Sequence, residues 1–259
     1  MAKTFHQYPE VEKTFQDITN LSLACNFTHP DGGPKGRRYD AAVLFNLAGG
    51  EDFFKGKCIA ELGARDGIFG SYLARHGSIV CTSDYFEEWG KGTDHDLGQI
   101  EYWKNIWEGA AGDDSRNQIA SSEDILNLSY ASNQFDCVVC ASVIEHMFNQ
   151  RRDKESDKPI GDMEALKELT RICKPGGLLL LSTDMIGGNQ ASVWHSGTYY
   201  YSQDDLKQRL LNAPGCKLHV PKDMPESSFN TEDPDNDAIG KHRTLEPVMP
   251  VVFALKATK

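Results

Sequence analysis

Cys58-Ile59-Ala60-Glu61-Leu62-Gly63-Ala64-Arg65-Asp66-Gly67 decides the fold. An apolar run ends in an acid and breaks into E-x-G-x-x-x-G. That is the pattern of a buried strand feeding a glycine turn, with a helix expected over 68–76. Gly63 and Gly67 permit positive φ and a close approach of backbone to ligand. The new helix presents free N–H groups at its start. A nicotinamide dinucleotide would require G-x-G-x-x-G, with the second glycine against the pyrophosphate. Here Arg65 holds that second position and Glu61 stands at the strand end. A carboxylate there repels a pyrophosphate and suits a cationic, amino-acid-bearing ligand.

Strand and helix signals alternate outward from this stretch, the mark of βαβ units and a parallel sheet. The pattern predicts strands over 57–62, 78–83, 118–121, 135–141, 177–183, 217–220 and 251–256. Helices are expected over 68–76, 98–109, 163–173 and 203–212. Ser202, with Asp205 three residues on, reads as a helix N-cap. Ala165, Leu166, Leu169, Ile172 and Cys173 recur at helical spacing. That helix should stop at Lys174-Pro175-Gly176-Gly177, a tight turn into the next strand. Residues 1–50 carry a separate helical signal at 39–48, after a glycine- and arginine-rich bend at 31–38. They are expected to form a lid over a domain spanning 51–259, with Arg37, Arg38 and Tyr39 in it. A charged stretch, 148–161, and an acidic, proline-bearing one, 221–250, read as insertions in that domain.

The chain has 259 residues, 39% hydrophobic and 25% charged, with a formal net charge of -11. One α/β domain with decorations fits that length. The acidic balance disfavours a broad phosphate-binding surface, so no nucleic-acid partner is expected. No apolar run reaches the roughly 18–20 residues needed to span a bilayer. The N-terminus lacks the profile of a signal peptide. A soluble, cytoplasmic protein without a membrane partner is therefore expected. Seven cysteines, mostly in apolar runs, read as reduced and buried. Cys137 and Cys140 have the spacing of a metal clip, but on a strand they face opposite sides of the sheet. No second pair completes a zinc site, so no metal is expected there.

Asp84 ends the second predicted strand, about twenty residues beyond the glycine turn, where an open α/β sheet holds ribose hydroxyls. The plainer alternative is a surface acid. Tyr85 and Phe86 follow, either against a purine ring or packed into the domain. Asp124 lies just past the third strand, as a contact to an adenine amino group with Ile125 on the ring, or as a cap. The fourth strand reads Phe135-Asp136-Cys137-Val138-Val139-Cys140-Ala141-Ser142-Val143-Ile144-Glu145-His146. A later run, from Leu166 through Arg171-Ile172 to Lys174-Pro175-Gly176-Gly177, completes an L-x-x-x-x-R-I-x-K-P-G-G series.

Taken in order, these motifs resemble class I S-adenosylmethionine-dependent methyltransferases, especially the small-molecule and glycan-modifying branch whose fourth strand ends in S-x-x-E-H. The resemblance covers about 57–212. It implies a Rossmann-like, doubly wound sheet of seven mostly parallel strands in the order 3-2-1-4-5-7-6, the last strand antiparallel. It also implies S-adenosylmethionine as cofactor. By position, Glu61, Gly63, Ala64 and Gly67 would surround the methionine moiety and Asp84 the ribose, with Tyr85 beside the purine. Asp124 and Ile125 would hold the adenine, and the Ser142 carbonyl the ammonium group. Arg65 departs from the small residue usual at its place.

The expected reaction is methyl transfer to a small-molecule acceptor, most simply a hydroxyl of a sugar or another metabolite. His146 is a candidate base for a hydroxyl acceptor, or else a scaffold residue. His195, within Val193-Trp194-His195-Ser196-Gly197-Thr198-Tyr199-Tyr200-Tyr201, is the rival. A divalent metal near E-x-x-E-H is disfavoured, because Ser142 stands where the first acid would be. Protein methylation, or a non-catalytic domain that retains the cofactor, are the alternatives. The oligomeric state is not legible.

Overall fold

The computed structural model describes residues 8–25, 35–64, 67–86, 100–186, 190–219 and 248–258. Arg65 and most of the 221–250 stretch lie outside them. Seven strands form one sheet: β1 (Cys58–Leu62), β2 (Ile79–Asp84), β3 (Gln118–Ser122), β4 (Phe135–Ala141), β5 (Cys173–Ile186), β8 (Cys216–His219) and β9 (Val248–Ala257). A two-stranded hairpin, β6 (Val193–His195) and β7 (Thr198–Tyr200), stands apart from it. The sheet order is β3-β2-β1-β4-β5-β9-β8. Strands β1 to β5 run parallel, and β9 is antiparallel to both β5 and β8. Counting sheet strands alone, this is the expected 3-2-1-4-5-7-6.

The helices are α1 (Pro9–Ala24), α2 (Lys35–Ala48), α3 (Glu51–Phe54), α4 (Phe69–Arg75), α5 (Ile100–Ala111), α6 (Ile144–Met147), α7 (Gly161–Ile172) and α8 (Gln203–Leu206), which winds on as a π turn over Lys207–Leu211. Ser202 caps α8 as expected, its hydroxyl accepting the Asp205 N–H. Helix α1 went unread in the sequence. Pro9 opens it, Glu10 and Glu12 sit in its first turn, and Val11, Thr14, Ile18, Leu21 and Ser22 form its buried stripe. Part of the predicted bend is helical too, since α2 begins at Lys35.

Two apolar layers cover the sheet. Helices α1, α2 and α4 pack with Ile59, Val80, Cys137, Val139, Leu178 and Leu180 on one face. Helix α7 packs with Ala60, Leu62, Val138, Cys140, Leu179 and Leu181 on the other. Cys137 and Cys140 thus serve opposite cores, as the strand period requires. Each fully buried large side chain, such as Phe135 or Leu73, contributes about 1.5–3 kcal/mol.

Several recognition motifs prove architectural. Asp136 of the F-D pair accepts the Cys58 N–H at 2.9 Å and the Lys174 ammonium at 2.8 Å, tying the start of β1 to that of β5. The proline-glycine run falls within β5 but bulges out of the pairing, the register jumping from Phe135↔Cys173 to Cys137↔Leu178, with Gly176 at φ 81°. Arg171 is held by Glu168 and donates to the carbonyls of Leu128 and Tyr130. It thereby fixes the turn-rich β3–β4 connection.

Candidate active site

Because β1 to β4 are parallel, their carboxyl ends share one edge, and the predicted cofactor residues fall along it. Gly63 leaves β1 at φ 72°, and the Ala64 N–H donates to the Ser83 carbonyl at 3.0 Å, folding the turn over β2. Gly67 closes the turn through its N–H to the Ala64 carbonyl, 2.8 Å. Its own carbonyl accepts the Trp107 indole N–H at 3.0 Å. Ala64 is buried with Phe86, Trp103 and Trp107. Sequence reasoning missed the Trp107 anchor, although the aromatic spacing on α5 was its signal. Phe86 takes the packing role left open above, its ring 6.2 Å from that of Trp107.

Glu61 points inward. Its carboxylate accepts the Gly70 N–H at 2.9 Å, capping the first turn of α4, and the residue is 6% exposed. A Cβ at Gly70 would overlap Glu61 Oε2 and lie 2.5 Å from Thr82 Oγ1. Beneath them the Gln118 amide bridges Ser71 and Thr82. This buried polar cluster joins β1, β2, β3 and α4, so Glu61 shapes the turn from below.

Asp84 ends β2 half-exposed and accepts the Tyr85 N–H through Oδ1 at 2.8 Å. Asp124 forms a local turn, Oδ1 accepting the Leu126 N–H at 2.9 Å. It lines an open cavity of about 440 Å³, with Leu126, Ile160, Arg151 and Lys154 among its walls. Ile125 differs from the expectation of a side chain lying on the adenine ring. It is buried in the core against α7, because the turn at Asp124 directs it there. Ser142 turns the chain out of β4 at φ 52°, its N–H given to the Ser182 carbonyl and hydroxyl, both 3.1 Å.

An edge lined by the Asp84 and Asp124 carboxylates, with a positive-φ backbone turn at Gly63, suits a cationic nucleoside bearing a ribose diol. The acid-ended strands and positive-φ turns therefore fit S-adenosylmethionine.

Beyond Ser142, the glutamate and histidine of the motif part company. Glu145 is 1% exposed and accepts the Thr183 hydroxyl at 3.1 Å. His146 is exposed and reaches the β6–β7 hairpin, its Nδ1 lying 3.0 Å from the Gly197 carbonyl and 3.4 Å from Thr198 Oγ1. A carbonyl can only accept, so Nδ1 carries the proton and a neutral ring presents Nε2 as its basic nitrogen. Thr198 is paired across the hairpin with His195, and opposite residues project from the same side. The rival histidines therefore share one hairpin face.

The other face is an aromatic stack. Phe148 lies parallel to Tyr199 at 3.5 Å between centroids, with Trp194 at 6.0 Å and the Arg209 guanidinium 4.8 Å from the ring. Arg209 donates through Nε and Nη2 to the fully buried Asp162, at 2.8 and 2.6 Å. The Tyr201 hydroxyl adds a third bond to Asp162, 2.9 Å. Burial, reinforced by Asp162, pushes the Tyr201 hydroxyl well above its ordinary pKa. Burial and the Asp205 carboxylate push Tyr199 up to about 12. Both hydroxyls stay protonated donors at neutral pH. Sequence reasoning did not find this clamp, whose members are far apart in the chain. Among the described residues, no group of three or more His, Cys, Asp or Glu side chains could hold a metal ion, and no helix is long and apolar enough to cross a membrane.

Residues 30–218 match the sequence model of a family described as a methyltransferase domain. Among solved structures, the chain is similar to the (4+2)-cyclase SpnF, with a TM-score of 0.58 and 15% identity over 100% of this chain and 97% of that one. It is also similar to the 1,6-didemethyltoxoflavin-N1-methyltransferase of Burkholderia thailandensis, solved with 1,6-didemethyltoxoflavin and S-adenosylhomocysteine. There the TM-score is 0.53 and the identity 12%, over 100% of this chain and 92% of that one. At such identities the likeness is one of fold. No curated protein sequence matches the chain.

Proposed function

The chain belongs to this methyltransferase-domain family, as a class I enzyme with S-adenosylmethionine as its cofactor, and from that premise we propose that it methylates a hydroxyl of a small metabolite such as a sugar. The observation that carries the reading is the exposed imidazole of His146, set at the carboxyl end of β4 with Nδ1 fixed on the Gly197 carbonyl.

When bound, the cofactor supplies an electrophilic methyl group on a sulfonium. Asp84 accepts the two ribose hydroxyl hydrogens, Asp124 accepts from the adenine amino group, and the Ser142 carbonyl receives the ammonium. Gly63 and Gly67 let the turn approach the methionine portion. His146 takes the acceptor's hydroxyl proton at Nε2 and, being exposed, returns it to water. The amino-terminal segment, whose helices α1 and α2 pack over one face of the sheet, flanks the acceptor and helps to exclude water. His195, on the same hairpin face, serves as the second histidine of the pocket.

The test is incubation with methyl-labelled S-adenosylmethionine and a panel of sugars, nucleotide sugars and phenols. Label on an acceptor oxygen, with His146→Ala lowering turnover about 10²–10⁴-fold at unchanged cofactor affinity, supports the reading. Label on polypeptide would favour a protein acceptor. Binding of S-adenosylhomocysteine without any transfer would favour a non-catalytic domain.

A further inference from the structure

Trp107 is 1% exposed, and the only polar group of its side chain serves the turn after β1. Helix α5, which carries it, is pinned to α4. Ser71 donates its hydroxyl to the Trp107 carbonyl at 3.0 Å, and Arg75 donates through Nε to the Ala110 carbonyl at 2.7 Å. From that fixed base the indole packs with Ala64, Phe86 and Trp103 and gives its N–H to the Gly67 carbonyl. The cluster joins the glycine turn to the chain leaving β2, where Phe86 stands two residues past Asp84.

Gly67 differs from Gly63 in what the chain asks of it. Its φ lies outside the left-handed region, and a Cβ added there would meet only the Ala64 carbonyl oxygen, at 3.5 Å, an ordinary contact. Nothing among the described residues therefore demands glycine at 67. Its N–H is given to the Ala64 carbonyl and its own carbonyl accepts from Trp107, so both backbone polar groups are engaged within the chain. What Gly67 offers outward is the bare side of its Cα, which lets a ligand approach the backbone closely. That side keeps its direction as long as the peptide after Gly67 keeps its own, and the indole N–H fixes that peptide.

We infer that Trp107 is the positioning residue of the cofactor turn: its indole N–H holds the Gly67 carbonyl so that the bare side of Gly67 faces the amino-acid portion of S-adenosylmethionine. This deepens the proposed function and rests on it, since that reading places the methionine portion at the turn. Trp107 touches no ligand itself and acts through Gly67. The turn is shaped before the ligand arrives, so binding does not have to order it.

Calorimetry with two ligands tests this. S-adenosylhomocysteine carries the amino-acid portion, and 5′-methylthioadenosine lacks it. Trp107→benzothienylalanine keeps the ring shape and removes only the N–H. It should weaken S-adenosylhomocysteine about three- to ten-fold, the worth of one hydrogen bond, and leave 5′-methylthioadenosine within about two-fold. Equal losses for both ligands, or no loss for either, would make Trp107 a packing residue and overturn the inference. Gly67→Ala should unfold at the wild-type temperature or higher. It should nonetheless bind S-adenosylhomocysteine about ten-fold more weakly, through a methyl added at a filled contact, with 5′-methylthioadenosine largely kept. A clear fall in its unfolding temperature would mean that the chain itself needs the glycine, and wild-type affinity would mean that the ligand does not approach this side; either overturns the inference. In wild type, the indole N–H resonance that Trp107→benzothienylalanine deletes should move on saturation with S-adenosylhomocysteine and much less with 5′-methylthioadenosine. Equal shifts, or none, count against it in the same way. If wild type binds neither ligand, the proposed function fails first and the inference with it.

Discussion

Gly63 and Val143 meet with no room between them: a Cβ built on Gly63 would overlap Val143 Cγ2. One residue belongs to the turn after β1, the other to the loop after β4. The turn that approaches the cofactor and the loop that starts the acceptor side therefore rest on each other. Gly63→Ala is expected to lose cofactor affinity and stability together, through this overlap and its left-handed φ of 72°. Adding Val143→Ala should remove the overlap yet leave a deficit of about 1 kcal/mol from the backbone. Denaturant unfolding of the single and double variants checks this; full recovery in the double would mean the backbone term is absent.

Asp84→Ala should weaken S-adenosylhomocysteine binding by about 1.5–3 kcal/mol, the worth of hydrogen bonds made by a charged group. Calorimetry on the folded variant decides it. Unchanged affinity would place the ribose elsewhere.

The Asp162–Arg209 pair is buried, its carboxylate fully so. Removing one member leaves the other charge unpaired, so Arg209→Met should cost about 3–5 kcal/mol of stability. The variant should also free Phe148 and the hairpin, which hydrogen exchange at Trp194 and Tyr199 would report. A loss under 1 kcal/mol would show that water reaches Asp162.

Acid should loosen the sheet's seam. Burial opposes ionisation of Asp136, but hydrogen bonds from Lys174 and the Cys58 N–H hold its pKa below the ordinary 3.8. The Arg171 hydrogen bonds hold Glu168 below 4.5, against burial. Each folded pKa lies below its unfolded value, so the contribution is complete above the unfolded value and lost as pH falls through the folded one. Stability should decline as pH drops below about 4, and Asp136→Asn should flatten that decline. Thermal unfolding between pH 2 and 6 (roughly the carboxylate window) provides the measurement.

The sheet was legible because its signals are local. Cys58–Leu62 and Phe135–Ala141 are apolar runs with sharp ends, and the helix at Gly161–Ile172 has its period. Helix α1 was not, since its stripe is diluted by Thr14 and Ser22, which become buried only when α1 packs on α2, α4 and α5. In the site, the acids at strand ends could be placed because parallel strands bring every carboxyl end to one edge. The inward turn of Glu61 could not, because its partner is the backbone of Gly70. Nor could the meeting of His146 with Gly197, across an intervening strand and hairpin.

The clamp of Phe148, Tyr199, Tyr201, Asp162 and Arg209 makes the 148–161 arm, the β6–β7 hairpin and the turn after α8 a single transplantable unit. An engineer who exchanges only the hairpin to retarget the enzyme would leave the Phe148 ring, with the arginine on it, without its Tyr199 and Trp194 partners. Recombination among relatives should succeed when its crossover points lie outside the span from Phe148 to Arg209, and fail inside it.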